Sequence, residues 1–465
     1  MFTPQTKPWW ALFLIAAASF IPTIGFYYVG EEAIFPIVSQ EMWEQGTWLK
    51  QYLYGNDQMH NPLFNWLIMP FAALAGWEHV LIVARILTIS FTLATALILA
   101  WLVQRLFRDK TFAAFTAVGY LCMADLLLYH GWLSYVDPLF ALFIFAAIAT
   151  LWVGAREKRL ALIVLSGVLI TCAFLSKAIT AYIFYGGALF VLLFEPGQRR
   201  FLLGWRTLPV LAVTFCGLFI WYASIPGGAA QQQRMFGELT HKLDNPSLVE
   251  YLTRLASFPL EVLLWLSPLT LLAIYLWLRK RNRKEESPAE RVLFLTACAI
   301  ALLNFLPYWI SPRGGMRYLM PLYPLFALVA ARIVWRSGDA ALVLARNWIV
   351  AMLVLKFAVA LLLFPYYQSH FRGQNYDETA ADILTLTQGA PLYSMDVSSA
   401  GLNVTAYLNQ RRLPASALQW PAADWSNGFL VARSADDALG SVYKRYQLGG
   451  DELYLLCRGA ACTRQ

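Results

Sequence analysis

"PWWALFLIAAASFIPTIGFYYVGEE" (residues 8–32) is an unbroken apolar run that ends on two adjacent carboxylates, Glu31 and Glu32. A run of this length crosses about 30 Å of hydrocarbon as one helix, and it outlasts the roughly 7–15 apolar residues of a secretory signal. It therefore reads as a retained membrane span. The carboxylates cannot rest in lipid, so they mark its watery end.

The rest of the chain repeats the pattern. Of 465 residues, 59% are apolar, 15% aromatic and only 14% charged, against about a quarter charged in a soluble domain. Eleven spans are expected, over 9–29, 80–104, 111–129, 136–154, 160–176, 179–194, 206–225, 259–278, 291–310, 318–335 and 347–364. The net charge of +8 sits in short clusters between apolar runs rather than in a nucleic-acid-binding face. Arg105, Arg108 and Lys110 follow the second span; Arg156, Lys158 and Arg159 the fourth; Arg199 and Arg200 the sixth. "RKRNRK" (279–284) follows the eighth, and Arg332 and Arg336 close the tenth. All fall on one side, which the positive-inside rule makes the cytoplasm, with the N-terminus inside and the C-terminus outside.

The outer side then receives a first loop (30–79), a loop at 226–258 and a tail from 365 to 465. The first loop suits short helices lying along the membrane surface. The tail mixes strand-like pieces ("PLYSMDV", "GFLVAR", "ELYLLC") with the helix-like "DETAADILTLT" and reads as a small extracytoplasmic α/β domain. The expected division is a membrane domain over 1–364, including the loop 30–79, and a periplasmic domain over 365–465. Cys457 and Cys462 in "CRGAAC" suit a small disulfide outside the cytosol, whereas Cys122, Cys172, Cys216 and Cys298 lie in apolar segments.

Ionisable residues gather at the outer span ends. Glu31 and Glu32 are followed by Asp57 and His60 in "GNDQMHNPLFNW" and by Arg85 just inside the second span. His130 and Asp137 lie in "LLLYHGWLSYVDPLF", Lys177 in "FLSKAITAYIFY", and Arg313, Arg317 and Tyr318 in "SPRGGMRYLMPLYP". One such residue commonly snorkels into headgroups, but acids and bases converging on one side point to a site. No phosphate loop or dinucleotide fingerprint occurs, and no Cys/His set has metal spacing. Neither a metal nor another cofactor is expected.

The order of these segments resembles the bacterial relatives of protein O-mannosyltransferases, the group that includes the lipid A aminoarabinose transferases. "GEEAIFPIVSQEMWEQGTW" is similar to their first-loop Asp-Glu motif, "HNPLFNWL" to their Lys-Pro-Pro-Leu segment, and "SYVDPLF" to their second acidic motif. "FLSKAITA" and "YLMPLYP" resemble their lysine turn and Tyr-Leu-x-Pro-x-x-Pro element. Two positions depart: Glu31 stands where the family has Asp, and His60-Asn61 where it has Lys-Pro.

The resemblance implies a polytopic α-helical protein of the C-type glycosyltransferase fold, a monomer in the bacterial inner membrane with its site facing the periplasm. The implied enzyme moves a sugar from a polyprenyl phosphate to lipid A, a surface glycan, another lipid or a protein. Glu31 is then the expected base and Asp137 the second catalytic acid. Lys177, Arg313, Arg317 and Arg85 are expected on the donor phosphate, with orientation of a carboxylate as a second role for Arg85. Glu32 is expected to be structural, capping the loop helix or pairing with a base. A glycan polymerase or ligase would share this donor logic but consume a polyprenyl diphosphate. A transporter would carry charges deep in its spans, where only Lys356 stands out, and a two-fold repeat of broken helices, which is not visible.

Overall fold

The computed structural model describes residues 7–58, 61–225, 237, 247–279, 285–312 and 314–463. Each expected span has a helical counterpart, but they are not of one kind. Among the described residues six helices are long and apolar enough to cross a membrane: Lys7–Gly25, Trp77–Phe107, Asp137–Glu157, Pro288–Ile310, Met316–Arg336 and Asp339–Thr387. The eighth span is a bent pair, Leu248–Trp265 and Leu269–Leu278, turned by 110°. Leu160–Ser176, Thr180–Leu192 and Leu208–Ser224 are shorter apolar helices. The third, expected over 111–129, is a helix only over Lys110–Leu121 and closes with a π turn at Leu126–His130.

Local chemistry sets several of these ends. Asp109 caps Lys110–Leu121 by accepting from the Thr111 and Phe112 amides at 2.9 and 3.0 Å. Ser247 with Glu250, and Ser287 with Glu290, form capping boxes at the starts of Leu248–Trp265 and Pro288–Ile310.

The chain divides into two compact units. The first comprises Met1–Ile21, Thr88–Trp132 and Val136–Phe357. Its central helix, Asp137–Glu157, is buried over nearly its whole length and packs along Leu160–Ser176. Its outer helices carry exposed apolar side chains such as Leu14, Val213, Phe219 and Val354, each more than 60% exposed. Such a surface is a liability in water and ordinary against lipid. The chain is a multi-pass membrane protein.

The second unit comprises Pro22–Leu87, Leu133–Tyr135 and Ala358–Gln465. It holds a four-stranded sheet in the order β3-β4-β6-β5, from β3 (Leu392–Ser394), β4 (Gly428–Ala432), β5 (Ser441–Leu448) and β6 (Asp451–Arg458). β3 and β4 are parallel and the other pairs antiparallel. The three strand-like segments read in the tail are β3, β4 and β6, and "DETAADILTLT" lies in the helix Gln374–Thr387. The sequence reading missed β5 and the helix Ser399–Arg412. Cys457 and Cys462 are joined as a disulfide.

The first loop packs with the tail. Tyr28, Ile37, Met42 and Tyr54 share one core with Tyr376, Ile383, Val404, Phe429 and Leu455 of the tail. In the helix Ile34–Glu44 every residue from Pro36 to Met42 is buried, so it has no wet face to lay along a membrane surface. Its polar residues instead hold its neighbours. The hairpin of β1 (Gln51–Leu53) and β2 (Asn56–Gln58) turns through Tyr54 and Gly55, both at positive φ (56° and 78°). Their amides donate to the two Glu41 carboxylate oxygens at 2.7 and 2.9 Å. Glu44 accepts from the Ala417 amide at 3.0 Å.

Burial pushes the Glu41 carboxyl up to about 7, against the opposing pull of the Gly55 and Tyr54 amides. A carboxyl raised on folding binds its proton more tightly in the folded state. Its contribution is full below the unfolded value near 4.5 and is lost as pH rises through 7. Thermal unfolding should therefore show greater stability at pH 6 than at pH 8, by roughly 1 kcal/mol. The difference should vanish in Glu41→Gln, and a pH-independent wild type would rule the effect out.

Candidate functional site

The expected site residues fall into groups in the two units. In the second unit the chain leaves its first span through a short 3-10 turn, Ile21–Gly25, and wraps around the Arg85 guanidinium. Arg85 Nη1 donates to the carbonyls of Thr23, Ile24 and Phe26, and Nη2 to that of Tyr27 at 2.9 Å. Its remaining donors form a two-pronged pair with Glu32, Nε to Oε1 at 2.9 Å and Nη2 to Oε2 at 2.5 Å. Both side chains are wholly buried. Glu32 also accepts from the Val29 and Ser134 amides, each at 2.8 Å. Two tail residues brace the same loop: the Tyr28 amide donates to Tyr407 Oη, and Asn403 Nδ2 to the Gly30 carbonyl.

This arrangement fits the second of the two roles expected of Arg85. Every nitrogen of its guanidinium is engaged in holding the loop and Glu32, which is the carboxylate-orienting role. Glu31 sits next to this buried pair but is itself exposed, its amide donating to Tyr135 Oη at 3.2 Å. Asp57 lies on β2 opposite Tyr52, 3.9 Å from Lys50 and more than half exposed. That is a solvated hairpin pair. His60 and Arg313 lie outside the described residues.

In the first unit, Asp137 begins the helix Asp137–Glu157, and Lys177 ends Leu160–Ser176. The Lys177 ammonium donates to Asp137 Oδ1. It also lies over the Tyr318 ring, 4.9 Å from its centroid, and Arg317 lies 5.3 Å from the same centroid. Lys177, Asp137, Arg317 and Tyr318 thus form one partly open cluster with two cations against one aromatic face. Arg254, not foreseen, donates to the Gly314 carbonyl and stacks on Phe258 at 4.5 Å. Its only signal was a lone arginine in an apolar stretch.

His130 ends the π turn, and its Nδ1 lies 2.7 Å from Asp125 Oδ1. Asp125 Oδ2 accepts from Tyr323 Oη at 2.7 Å. Asp125, only 2% exposed, is the functional candidate that sequence reading missed. Its signal was present: an acid inside the expected third span, as telling as Lys356 in the eleventh. Among the described residues no group of three or more His, Cys, Asp or Glu is placed to hold a metal.

The fold, a helical membrane unit with a tail built around a small sheet, is shared with solved structures. It matches ArnT from Cupriavidus metallidurans over 97% of this chain and 98% of that one. The TM-score is 0.67 against both its apo and its undecaprenyl phosphate-bound crystal structures, at 15% and 16% identity. Two curated relatives are undecaprenyl phosphate-alpha-4-amino-4-deoxy-L-arabinose arabinosyl transferases. That of Enterobacter sp. (strain 638) is 29% identical over 129 residues, 28% of this chain and 23% of that protein. That of Pseudomonas aeruginosa (strain UCBPP-PA14) is 27% identical over 237 residues, 49% of this chain and 42% of that protein. The chain thus matches less than half the length of either. No protein-family model matches it.

Proposed function

We propose that the chain is a glycosyltransferase that moves a sugar from a polyprenyl-phosphate donor to an acceptor on the periplasmic face of the bacterial inner membrane. The observation that carries this reading is the cluster of Lys177, Arg317, Tyr318 and Asp137 in a fold shared with a protein crystallised with undecaprenyl phosphate. The Cys457–Cys462 disulfide favours an oxidising compartment for the tail.

The reaction breaks the bond between the anomeric carbon and the phosphate oxygen, and that electron pair leaves on the phosphate. Fixed cations stabilise the departing anion, a role assigned here to Lys177 and Arg317, with Arg313 a further candidate. Asp137 holds the Lys177 ammonium in place. The acceptor oxygen forms the new bond and, when it is a hydroxyl, gives its proton to Glu31. This chemistry runs on the chain's own carboxylates and cations.

The test is consumption of a labelled polyprenyl-phosphate sugar by the purified protein. Lys177→Ala and Arg317→Ala should each weaken donor binding about 10- to 100-fold, since a charge-assisted bond contributes about 1.5–3 kcal/mol. Unaltered donor binding in both variants would remove the phosphate assignment. Turnover of a diphosphate-linked donor alone would make the protein a polymerase or ligase.

A further inference from the structure

We propose that Asp125 and Tyr323 are positioning residues for the donor phosphate, acting through the turn that carries Arg317 and Tyr318; this rests on the functional reading above. Arg317 and Tyr318 project from a 3-10 stretch, Met316–Leu322. Such a helix has poor hydrogen-bond geometry, so it is soft unless anchored from outside. The anchor is Tyr323, whose hydroxyl shares its one proton between Asp125 Oδ2 at 2.7 Å and the Met316 carbonyl at 3.2 Å. One hydroxyl therefore ties the first residue of the turn to a buried carboxylate.

The carboxylate is itself immobile. Asp125 is nine-tenths buried and more, and a buried carboxylate is tolerated only when its oxygens are paired. Oδ2 has Tyr323, and Oδ1 has His130 Nδ1 at 2.7 Å. His130 is in turn fixed by the π turn. The Gly131 amide closes that turn on the Leu126 carbonyl at 3.0 Å, and a Cβ at residue 131 would meet that oxygen at 2.3 Å. Only glycine permits the approach. Thr92 Oγ1 donates to the Gly131 carbonyl at 2.9 Å and holds the turn from the neighbouring helix. Tyr323 thus links the rigid Asp125–His130 pair to the cluster in which Lys177 and Arg317 meet.

A double-mutant cycle tests this, read as binding of undecaprenyl phosphate to the purified full-length protein. Tyr323→Phe keeps the ring and its packing and removes only the anchor. It should weaken binding about 5- to 10-fold, a part of what one hydrogen bond to a charged group contributes, because the anchor acts on the phosphate only through the turn. In an Arg317→Ala background the same substitution should add less than about 2-fold, because its effect passes through Arg317. Asp125→Asn, which keeps the shape, should follow the same non-additive pattern if it folds. Full additivity of Tyr323→Phe and Arg317→Ala would overturn the proposal, as would a lowered melting temperature with unchanged affinity. A wild type that does not bind the lipid phosphate at all would overturn the functional reading instead, and this inference with it.

Discussion

Arg85→Met should cost about 3–5 kcal/mol of stability and most of the folded protein, because it leaves the Glu32 carboxylate buried and uncompensated. Four carbonyls, those of Thr23, Ile24, Phe26 and Tyr27, would lose their donor in the same step. Arg85→Lys should fail nearly as badly, since an ammonium cannot reproduce the planar fork that reaches both Glu32 oxygens. Size-exclusion yield in detergent and a thermal melt read the effect. A well-folded Arg85→Met with a normal melt and lost donor affinity would reinstate Arg85 as a phosphate ligand. The physical argument against that outcome is satisfaction: the guanidinium has no donor left to offer without unwrapping the loop.

Glu31→Gln should lower turnover about 10²-fold or more while donor binding survives, for a hydroxyl acceptor. The substitution keeps shape and removes the base. The two neighbours differ in setting: Glu31 is exposed, while Glu32 is sealed into the pair with Arg85. Two adjacent carboxylates project about 100° apart on a helical turn, which suits this division of labour. Glu31→Asp restores the residue of the resembled family on a backbone spaced for the longer acid, so partial turnover is expected. With a phosphate acceptor the oxygen is already anionic, and Glu31→Gln should then cost far less. Near-normal turnover of Glu31→Gln on a confirmed hydroxyl acceptor would move the base to Asp137.

The two predictions differ in how far the residues alone led to them. Apolar runs determined the multi-pass membrane architecture, because crossing lipid is a local demand each segment meets by itself. The strand pieces "GFLVAR" and "ELYLLC" were legible for a similar reason, whereas β5, with its polar "YKRYQ", had no alternation to reveal it. Order along the chain also brought Asp137, Lys177 and Arg317 to notice, since ionisable groups at span ends stand out against apolar neighbours. Their convergence on Tyr318 was not legible, because it depends on how three helix ends meet.

Partner choice was decided by tertiary structure alone. Arg85 read as a weaker phosphate candidate with a carboxylate as its other partner, and its contacts come from a loop folding back from Thr23 to Glu32 around it. Asp125 passed as part of a span until His130 and Tyr323 closed on its two oxygens. The first loop looked like surface helices, yet it shares its core with a tail more than 300 residues further along. A sequence displays which groups are costly to bury; only the folded chain shows which of them have been given partners.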